Sequence, residues 1–212
     1  MRAAENQYGR PAGSVKLLAV SKHQPLSSIE EALQVQQFAF GENYVQEMAE
    51  KAAQLQQYPI EWHFIGPIQS NKTRQIAGLA TWVHSVDRLK IAERLNAQNA
   101  DPKRPLQICL QVNISDEASK SGIQAGQLAE LASAIKQLPN LQLRGLMAIP
   151  APEDDFAKQR QAFAAVRCLW EQLNAQGFQL DTLSMGMSND LEAAIAEGAT
   201  LVRLGTALFG AR

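Results

Sequence analysis

The sequence is poor in cysteine, in aromatic residues and in charge. It has 2 cysteines in 212 residues, 6% aromatic residues, 19% charged residues and a formal net charge of -1. Cys109 and Cys168 show neither CxxC nor Cys/His spacing, which excludes a disulfide scaffold and a zinc site, and we expect both thiols to be buried. A charged fraction below the usual quarter argues against a disordered interaction tail.

Basic stripes and long apolar runs are also missing. Lys and Arg are scattered among Asp and Glu, so we expect no nucleic-acid partner. No apolar run approaches the roughly 20 residues of a membrane span, and the opening MRAAENQYGRPAGS has no apolar signal region. The sequence therefore predicts no membrane partner and a cytoplasmic protein.

What is present is an alternation of apolar runs with amphipathic segments. Eight short runs predict strands: VKLLAV, FAFG, WHFIG, WVHSV, LQICLQVNI, LQLRGLMAI, DTLSMG and TLVRLG. Segments such as LSSIEEALQVQQ and DDFAKQRQAFAAVRCLWEQLNAQG have helical spacing. Both a doubly wound sheet and a closed barrel satisfy this order, and eight units in one short domain, residues 1–212, favour a single (β/α)8 TIM barrel.

The first run, LLAVSK, ends in a lysine, and lysine is seldom buried without a partner. Barrels of this class carry their chemistry where strands end and βα loops begin, which is the position of Lys22. The other polar or glycine positions at strand ends are Ser21, Gly41, Glu42, Asn43, Gly66, Gln69, Ser70, Asn71, Ser85, Asp87, Asn113, Ser115, Gly186, Ser188, Arg203, Gly205 and Thr206.

The loops after the last two strands predict an anion site. In MGMSND, Gly186 permits a tight turn, Ser188 supplies a hydroxyl, and a helix beginning near Asn189 would offer backbone N–H groups. In RLGT, Gly205 exposes backbone and Thr206 adds a hydroxyl. Taken singly, these glycines are turn residues and Ser188 is a helix cap; together they match the phosphate site of such barrels.

A lysine across from a phosphate site suits a phosphorylated aldehyde, and pyridoxal 5'-phosphate (PLP) has both groups. Arg203 would then meet the pyridine nitrogen and, being permanently cationic, leave it unprotonated. His63 and His84 alternate with apolar neighbours and are interpreted as core residues. A metabolic isomerase or aldolase using a lysine and the same phosphate site remains an alternative.

Several motifs resemble, in order and spacing, the pyridoxal phosphate homeostasis protein family: LLAVSK, FGENYVQE, WHFIGPIQSNK, QVNISDEASKSG, LRGLMAIP, LSMGMSND and VRLGTALFG. The resemblance implies a fold-type III barrel, similar to the N-terminal domain of alanine racemase without its C-terminal β-domain, and no metal. It implies that Lys22 forms a Schiff base with PLP. The other cofactor-binding candidates are Asn43, Ser188, Arg203, Gly205 and Thr206, with His63, Met147 and Met187 as a second tier.

The same resemblance implies a role in vitamin B6 homeostasis and amino-acid and keto-acid balance, without established catalysis. The alternative is a PLP-dependent racemase of limited scope, which needs a second base; of the tyrosines only Tyr44 is near a strand end, where packing or exposure is expected. We therefore expect a carrier, a monomer, that delivers PLP to apoenzymes. Two features depart from the family: a short leading helix, interrupted between Gly9 and Gly13, and His23 after the lysine.

Overall fold

Eight parallel strands, alternating with helices, close into a barrel in the residues that the structure describes, which are 1–99, 101, 103–114 and 121–210. The structure is a computed structural model. Ser115, one of the predicted strand-end positions, lies outside the described residues. The closed barrel confirms the predicted fold and excludes the doubly wound sheet.

The strands are β1 (Lys16–Val20), β2 (Ala39–Glu42), β3 (Glu61–Phe64), β4 (Trp82–Val86), β5 (Leu106–Gln111), β6 (Leu141–Met147), β7 (Thr182–Ser184) and β8 (Leu201–Leu204). The helices are α1 (Arg2–Gln7), α2 (Leu26–Gln34), α3 (Val45–Gln54), α4 (Thr73–Leu79), α5 (Leu89–Gln98), α6 (Leu128–Ile135), α7 (Phe156–Ala175), α8 (Leu191–Ala196) and α9 (Thr206–Phe209). A 3₁₀ turn, Ala125–Gln127, precedes α6.

The pairing of β1 with β8 closes the barrel. Leu18 is in register with Arg203, and Ala19 is in register with Leu204 on one side and with Phe40 of β2 on the other. All eight strand pairs are parallel. The loops that follow β1 and β8 therefore lie side by side at the carboxyl end of the barrel.

The main core lies between the strands and the surrounding helices. Strand residues such as Val83 and Val202 pack there against helix residues such as Ile91 and Ala194, all of them fully buried. Burying one such side chain stabilises the fold by about 1.5–3 kcal/mol for the larger aliphatic residues. Because side chains alternate along a strand, the neighbouring positions face the barrel interior, where Trp82, Cys109 and Met147 form a small second cluster.

The predicted helical segments are confirmed, but the helices are shorter than the segments. The segment after β7 was expected to become helical near Asn189; instead α8 begins at Leu191, with Asp190 as its N-cap residue. Two short helices, α4 and α9, were not among the predicted segments. None of the helices in the described part of the chain combines the length and the apolar character needed to cross a membrane.

The prediction that both thiols are buried is wrong for one of them. Cys109 is fully buried in β5, whereas Cys168 is exposed on α7. The buried face of α7 carries Phe163, Val166 and Leu173. Cys168 follows Val166 by two residues, about 200° around the helix, and so faces solvent.

The short leading helix is observed as α1, which ends before Gly9. The side chain of Glu5 is only 2% exposed and accepts hydrogen bonds from the backbone N–H groups of Gly13 and Val15. Arg10 donates to the carbonyl oxygens of Ile195 and Ala199, which joins this segment to the end of α8. Hydrogen bonds thus hold the segment before β1 against the barrel.

Candidate functional site

A cavity of about 1030 Å³ opens at the carboxyl ends of the strands. Its walls come from the loops that follow seven of the eight strands, so residues far apart in the sequence face one space. All six of the principal cofactor-binding candidates line it: Lys22, Asn43, Ser188, Arg203, Gly205 and Thr206. The structure therefore brings together the groups that the sequence predicted to converge.

Lys22 lies in a tight turn directly after β1. The N–H of Ser21 donates to the carbonyl oxygen of Gly41, which continues the pairing of β1 with β2, and the N–H of Gln24 donates to the carbonyl oxygen of Ser21. Lys22 itself is partly buried in the cavity wall. The turn places Lys22 between the end of β1 and the cavity.

His23, which departs from the family pattern, has a structural explanation. Its φ is +60°, and its N–H donates to Oε1 of Glu47 over 2.5 Å. The imidazole ring lies 5.1 Å from the ring of Tyr44, and 49% of the side chain is exposed. The ring thus packs against Tyr44, and the residues that line the cavity include neither His23 nor Tyr44.

A buried lysine, which the sequence reasoning missed, supports this turn from behind. Nζ of Lys51, on α3, donates to the carbonyl oxygen of Ser21 over 2.6 Å and to Glu42 Oε1 and Glu47 Oε1 over 2.7 Å each. The hydroxyl of Ser21 also donates to Glu42 Oε1 over 2.7 Å. Burial raises the pKa of Glu42, and the bond from Lys51 acts in the opposite direction. Ser21 and Glu42 were predicted as polar strand ends, but nothing in the sequence indicated that Lys51 joins them.

Arg203 occupies the floor of the cavity and is 3% exposed. Its Nη1 donates to the carbonyl oxygen and the hydroxyl of Ser184, at 2.5 and 2.8 Å, and its Nη2 donates to the carbonyl oxygen of Ala148 at 2.9 Å. These hydrogen-bond partners are neutral oxygens, and the carboxylate of Asp190, on the cavity wall, acts electrostatically to favour the cationic guanidinium. Burial lowers the pKa of Arg203 to about 10, so the group stays cationic at neutral pH.

The loop after β7 forms one side of the predicted phosphate site. Gly186 has a φ of +96°, and a Cβ atom there would lie 2.5 Å from the Cβ of Ala194. Ser188 is exposed on the cavity wall. Asp190 accepts a hydrogen bond from the N–H of Met187 over 2.6 Å, which fixes the loop. Asp190 takes the capping position that Ser188 was considered for.

The loop after β8 forms the other side. A Cβ atom at Gly205 would lie 3.3 Å from the carbonyl oxygen of Val20, so this loop passes close to the end of β1. Thr206 begins α9, in which the N–H groups of Leu208 and Phe209 donate to the carbonyl oxygen of Gly205. The amides of Thr206 and Ala207 therefore stand in the first helical turn, where N–H groups are available to a ligand.

Of the three second-tier candidates, one lines the cavity and two do not. Met187 lines the cavity and is 38% exposed. His63 and Met147 do not line it; both are buried in the barrel interior below, as the interpretation of His63 as a core residue predicts. The sequence reasoning did not select several cavity-lining residues, which are Ile65, Pro67, Gln111, Ile149, Pro150 and Asp190.

Comparison with known proteins identifies relatives over the whole chain. The family described as "Alanine racemase, N-terminal domain" matches residues 3–212. The pyridoxal phosphate homeostasis protein of Pseudomonas aeruginosa is 59% identical over 212 residues, which cover 100% of this chain and 91% of the relative. The protein of the same name from Escherichia coli K12 is 51% identical, covering 99% and 91%.

Solved structures with a similar fold include PipY and an alanine racemase. PipY of Synechococcus elongatus PCC7942 with PLP bound is 40% identical, has a TM-score of 0.86 and is matched over 99% of this chain and 98% of PipY. Alanine racemase of Corynebacterium glutamicum, at 16% identity and a TM-score of 0.74, shares the fold over 100% of this chain and 59% of its own. The chain belongs to the pyridoxal phosphate homeostasis proteins, within the alanine racemase N-terminal domain family.

Proposed function

We propose that the chain binds PLP reversibly and serves in PLP homeostasis as a carrier of the cofactor. One observation carries the proposal: Lys22, Arg203 and the two loops with Ser188 and Thr206 all line one cavity of about 1030 Å³. The names of the relatives and the PLP-bound structure of PipY support it. PLP has an aldehyde, a pyridine nitrogen and a phosphate, and the cavity offers a complementary group for each.

Lys22 is the residue that we propose to hold the cofactor as a Schiff base. The neutral amine condenses with the aldehyde carbon; a C=N bond forms and one water leaves, so the link is reversible by hydrolysis. Ser188, Gly205 and Thr206 would bind the phosphate through hydroxyl and backbone N–H groups. Asn43 lies on the same wall, and Gly66 packs so closely against its backbone that a Cβ atom there would lie 2.1 Å from the carbonyl oxygen of Asn43.

Arg203 decides what kind of chemistry the site can support. When bound, PLP acts as an electron sink for carbanions, and a protonated pyridine nitrogen strengthens that sink. A guanidinium donates hydrogen bonds and has no acceptor, so Arg203 favours the unprotonated nitrogen. The hydrogen bonds of Arg203 go to neutral oxygens of Ser184 and Ala148, and the charge of Asp190 favours its cationic form. Such weak activation would narrow the range of reactions that the site can support.

A visible absorption spectrum of the purified protein incubated with PLP tests the cofactor assignment. We expect a band that borohydride reduction removes and that Lys22→Ala abolishes. Lys16→Ala is the matched control, because Lys16 is an exposed lysine at the opposite end of the same strand. A wild-type protein without such a band would contradict the proposal and favour the alternative function, a phosphate-binding isomerase or aldolase.

Exchange of amino-acid α-protons in deuterated water tests whether the holoprotein is a carrier or a racemase. A racemase needs a second base, and Tyr44 is 52% exposed with its ring against His23. We therefore expect exchange far below ordinary enzymatic rates. Exchange at such rates, lost in Lys22→Ala, would establish the racemase instead.

We propose that the protein is a cytoplasmic, single-domain monomer. Its use of the bound cofactor would be to deliver PLP to apoenzymes. Transfer to an apoenzyme is measured by its recovered activity, in parallel with release of PLP into buffer. We expect transfer to exceed the rate that free release allows. Equal rates would mean that the protein only buffers PLP.

A further inference from the structure

A row of hydrogen-bonded side chains runs through the barrel interior below the cavity. It begins at Nη1 of Arg203, which donates to the hydroxyl of Ser184 over 2.8 Å. The hydroxyl contacts Nδ1 of His84, Nε2 of His84 contacts Nδ1 of His63, and Nε2 of His63 contacts Oε1 of Glu61, each over 2.8 Å. We call these five residues the interior chain. They come from β8, β7, β4 and β3.

The two ends of the interior chain determine the direction of every hydrogen bond in it. A guanidinium only donates and a carboxylate only accepts. Glu61 therefore requires a proton on Nε2 of His63, which leaves Nδ1 of a neutral His63 as an acceptor. His84 must then carry its proton on Nε2 and accept at Nδ1, from the hydroxyl of Ser184. Between Arg203 and Glu61, the hydroxyl of Ser184 and the two imidazoles each accept one hydrogen bond and donate one.

The surroundings keep both imidazoles neutral, as this ordering requires. His63 is 1% exposed and His84 is fully buried, and burial lowers the pKa of both. The hydrogen bond from His63 lowers the pKa of Glu61, so the carboxylate is ionised. The ring of Trp82 stacks on His63, with centroids 5.5 Å apart and planes 6° from parallel, and so holds the plane of that imidazole.

Glu61 stands at the first residue of β3, at the opposite end of the barrel from the cavity. Its side chain is 46% exposed, whereas the rest of the interior chain is buried. The charge of Arg203 is thus connected through three neutral groups to a carboxylate at the far barrel face. In a low-dielectric interior, hydrogen bonds in such a row polarise one another.

We propose that the interior chain has a single proton order and that Glu61, His63 and His84 are positioning residues for Arg203. The hydroxyl of Ser184 points its proton at His84 and its lone pairs at the guanidinium, which fixes the guanidinium on the cavity floor. The role assigned to Arg203 rests on the proposed function, while the proton order does not. Glu61→Gln removes the requirement for a proton on Nε2 of His63, so both tautomers become available throughout the row.

Nitrogen-15 NMR of histidine-labelled protein without PLP tests the proton order at pH 7.5. We expect His63 and His84 to carry their protons on Nε2, with the exposed His23 as the internal reference. In Glu61→Gln, a second tautomer of His63 should appear. Asp181→Asn is the matched control: it removes a carboxylate, 55% exposed, at the start of β7, the same end of the barrel. A proton on Nδ1 of either buried histidine in the wild type would overturn the order.

A titration with PLP, followed at the visible band, tests the positioning role. We expect Glu61→Gln to bind PLP roughly 3- to 10-fold more weakly, which corresponds to the loss of one ordered hydrogen bond. Its visible band should also shift. Asp181→Asn should change neither the affinity nor the band. His84→Gln, which interrupts the row nearer to Arg203, should weaken binding at least as much. Unchanged affinity and band position in both variants would overturn the positioning role. A wild type that binds no PLP would overturn the proposed function and leave the NMR result standing.

Discussion

The ammonium of Lys51 lies 2.6 Å from the backbone carbonyl oxygen of Ser21, the residue that directly precedes Lys22. The same ammonium is 2.7 Å from the carboxylate of Glu42, which is fully buried. A buried lysine therefore connects the turn that carries Lys22 to α3. Because the charged partners are withdrawn from water, the cluster is sensitive to the loss of any one member.

Lys51→Met should lower the free energy of unfolding by about 3 kcal/mol, since it leaves the buried carboxylate of Glu42 without its cation. Urea denaturation measures this change. PLP binding should also weaken, because the carbonyl group of Ser21 loses its anchor. Lys90→Met, at an exposed position of α5, is the control and should be nearly neutral.

The double variant Lys51→Met with Glu42→Gln separates the ion pair from the packing around it. Removing both charges should recover part of the lost stability, because the fully buried carboxylate of Glu42 is gone, while the partly exposed Glu47 keeps its charge. A double variant as unstable as the sum of the single variants would show that the ammonium and the carboxylate act independently.

Gly186→Ala should destabilise the protein more than Gly177→Ala. Both glycines have positive φ, +96° and +86°, so both variants incur about 1 kcal/mol of backbone strain. At Gly186 the new Cβ would also lie 2.5 Å from the Cβ of Ala194, whereas no atom lies within 4 Å at Gly177. Overpacking adds about 1–3 kcal/mol. Denaturation midpoints of the two variants give the comparison, and equal losses would contradict the role of close packing.

Alternation of apolar runs made the barrel and its cavity predictable. A parallel barrel places every strand end on one rim, so Lys22 and Arg203 could be assigned to one site although 180 residues separate them in the sequence. The phosphate loops followed from glycine and hydroxyl residues at strand ends. These features depend on strand order alone, which the periodicity of the sequence shows.

Features that depend on register or helix phase were not predictable in this way. The contact between His63 and His84 needs the pairing of β3 with β4, and Lys51 reaches Ser21 only through the packing of α3. Cys168 was misplaced because the apolar residues of α7 do not mark its buried face clearly. The predicted start of α8 was too early: Asp190, rather than Ser188, occupies the N-cap position, and its side chain makes no capping hydrogen bond.

The two thiols should differ sharply in reactivity. Burial raises the pKa of Cys109 to about 12, so that thiol carries almost no thiolate at pH 8. Cys168 is exposed. A thiol-specific chromogenic reagent should therefore modify one cysteine rapidly in the native protein and both after denaturation. Cys168→Ser should remove the rapid phase; if that phase persists in this variant, the assigned exposure of the two residues is wrong.

The stability of the protein should fall between pH 7.5 and pH 5.5 because of the buried histidines. Burial lowers the pKa of His84 well below its usual 6.5, and it lowers that of His63 as well. Below pH 6.5 the unfolded chain binds protons that the folded chain does not, so unfolding becomes easier as the pH falls. The stabilisation by His84 is nearly complete at pH 7.5 and decreases by about 1.4 kcal/mol by pH 5.5, and His63 contributes in the same direction.

His84→Gln isolates this effect from other groups. Burial raises the pKa of Glu42, whose contribution has the opposite sign: it is present at low pH and is lost as the pH rises through the folded-state pKa. Glu42 remains in the variant, so its contribution cancels in the difference between variant and wild type, which reports His84 together with its coupling to His63. Urea denaturation at the two pH values should show a pH-dependent loss about 1.4 kcal/mol smaller in the variant. Equal losses would mean that His84 is protonated in the folded protein, which is incompatible with the order of the interior chain.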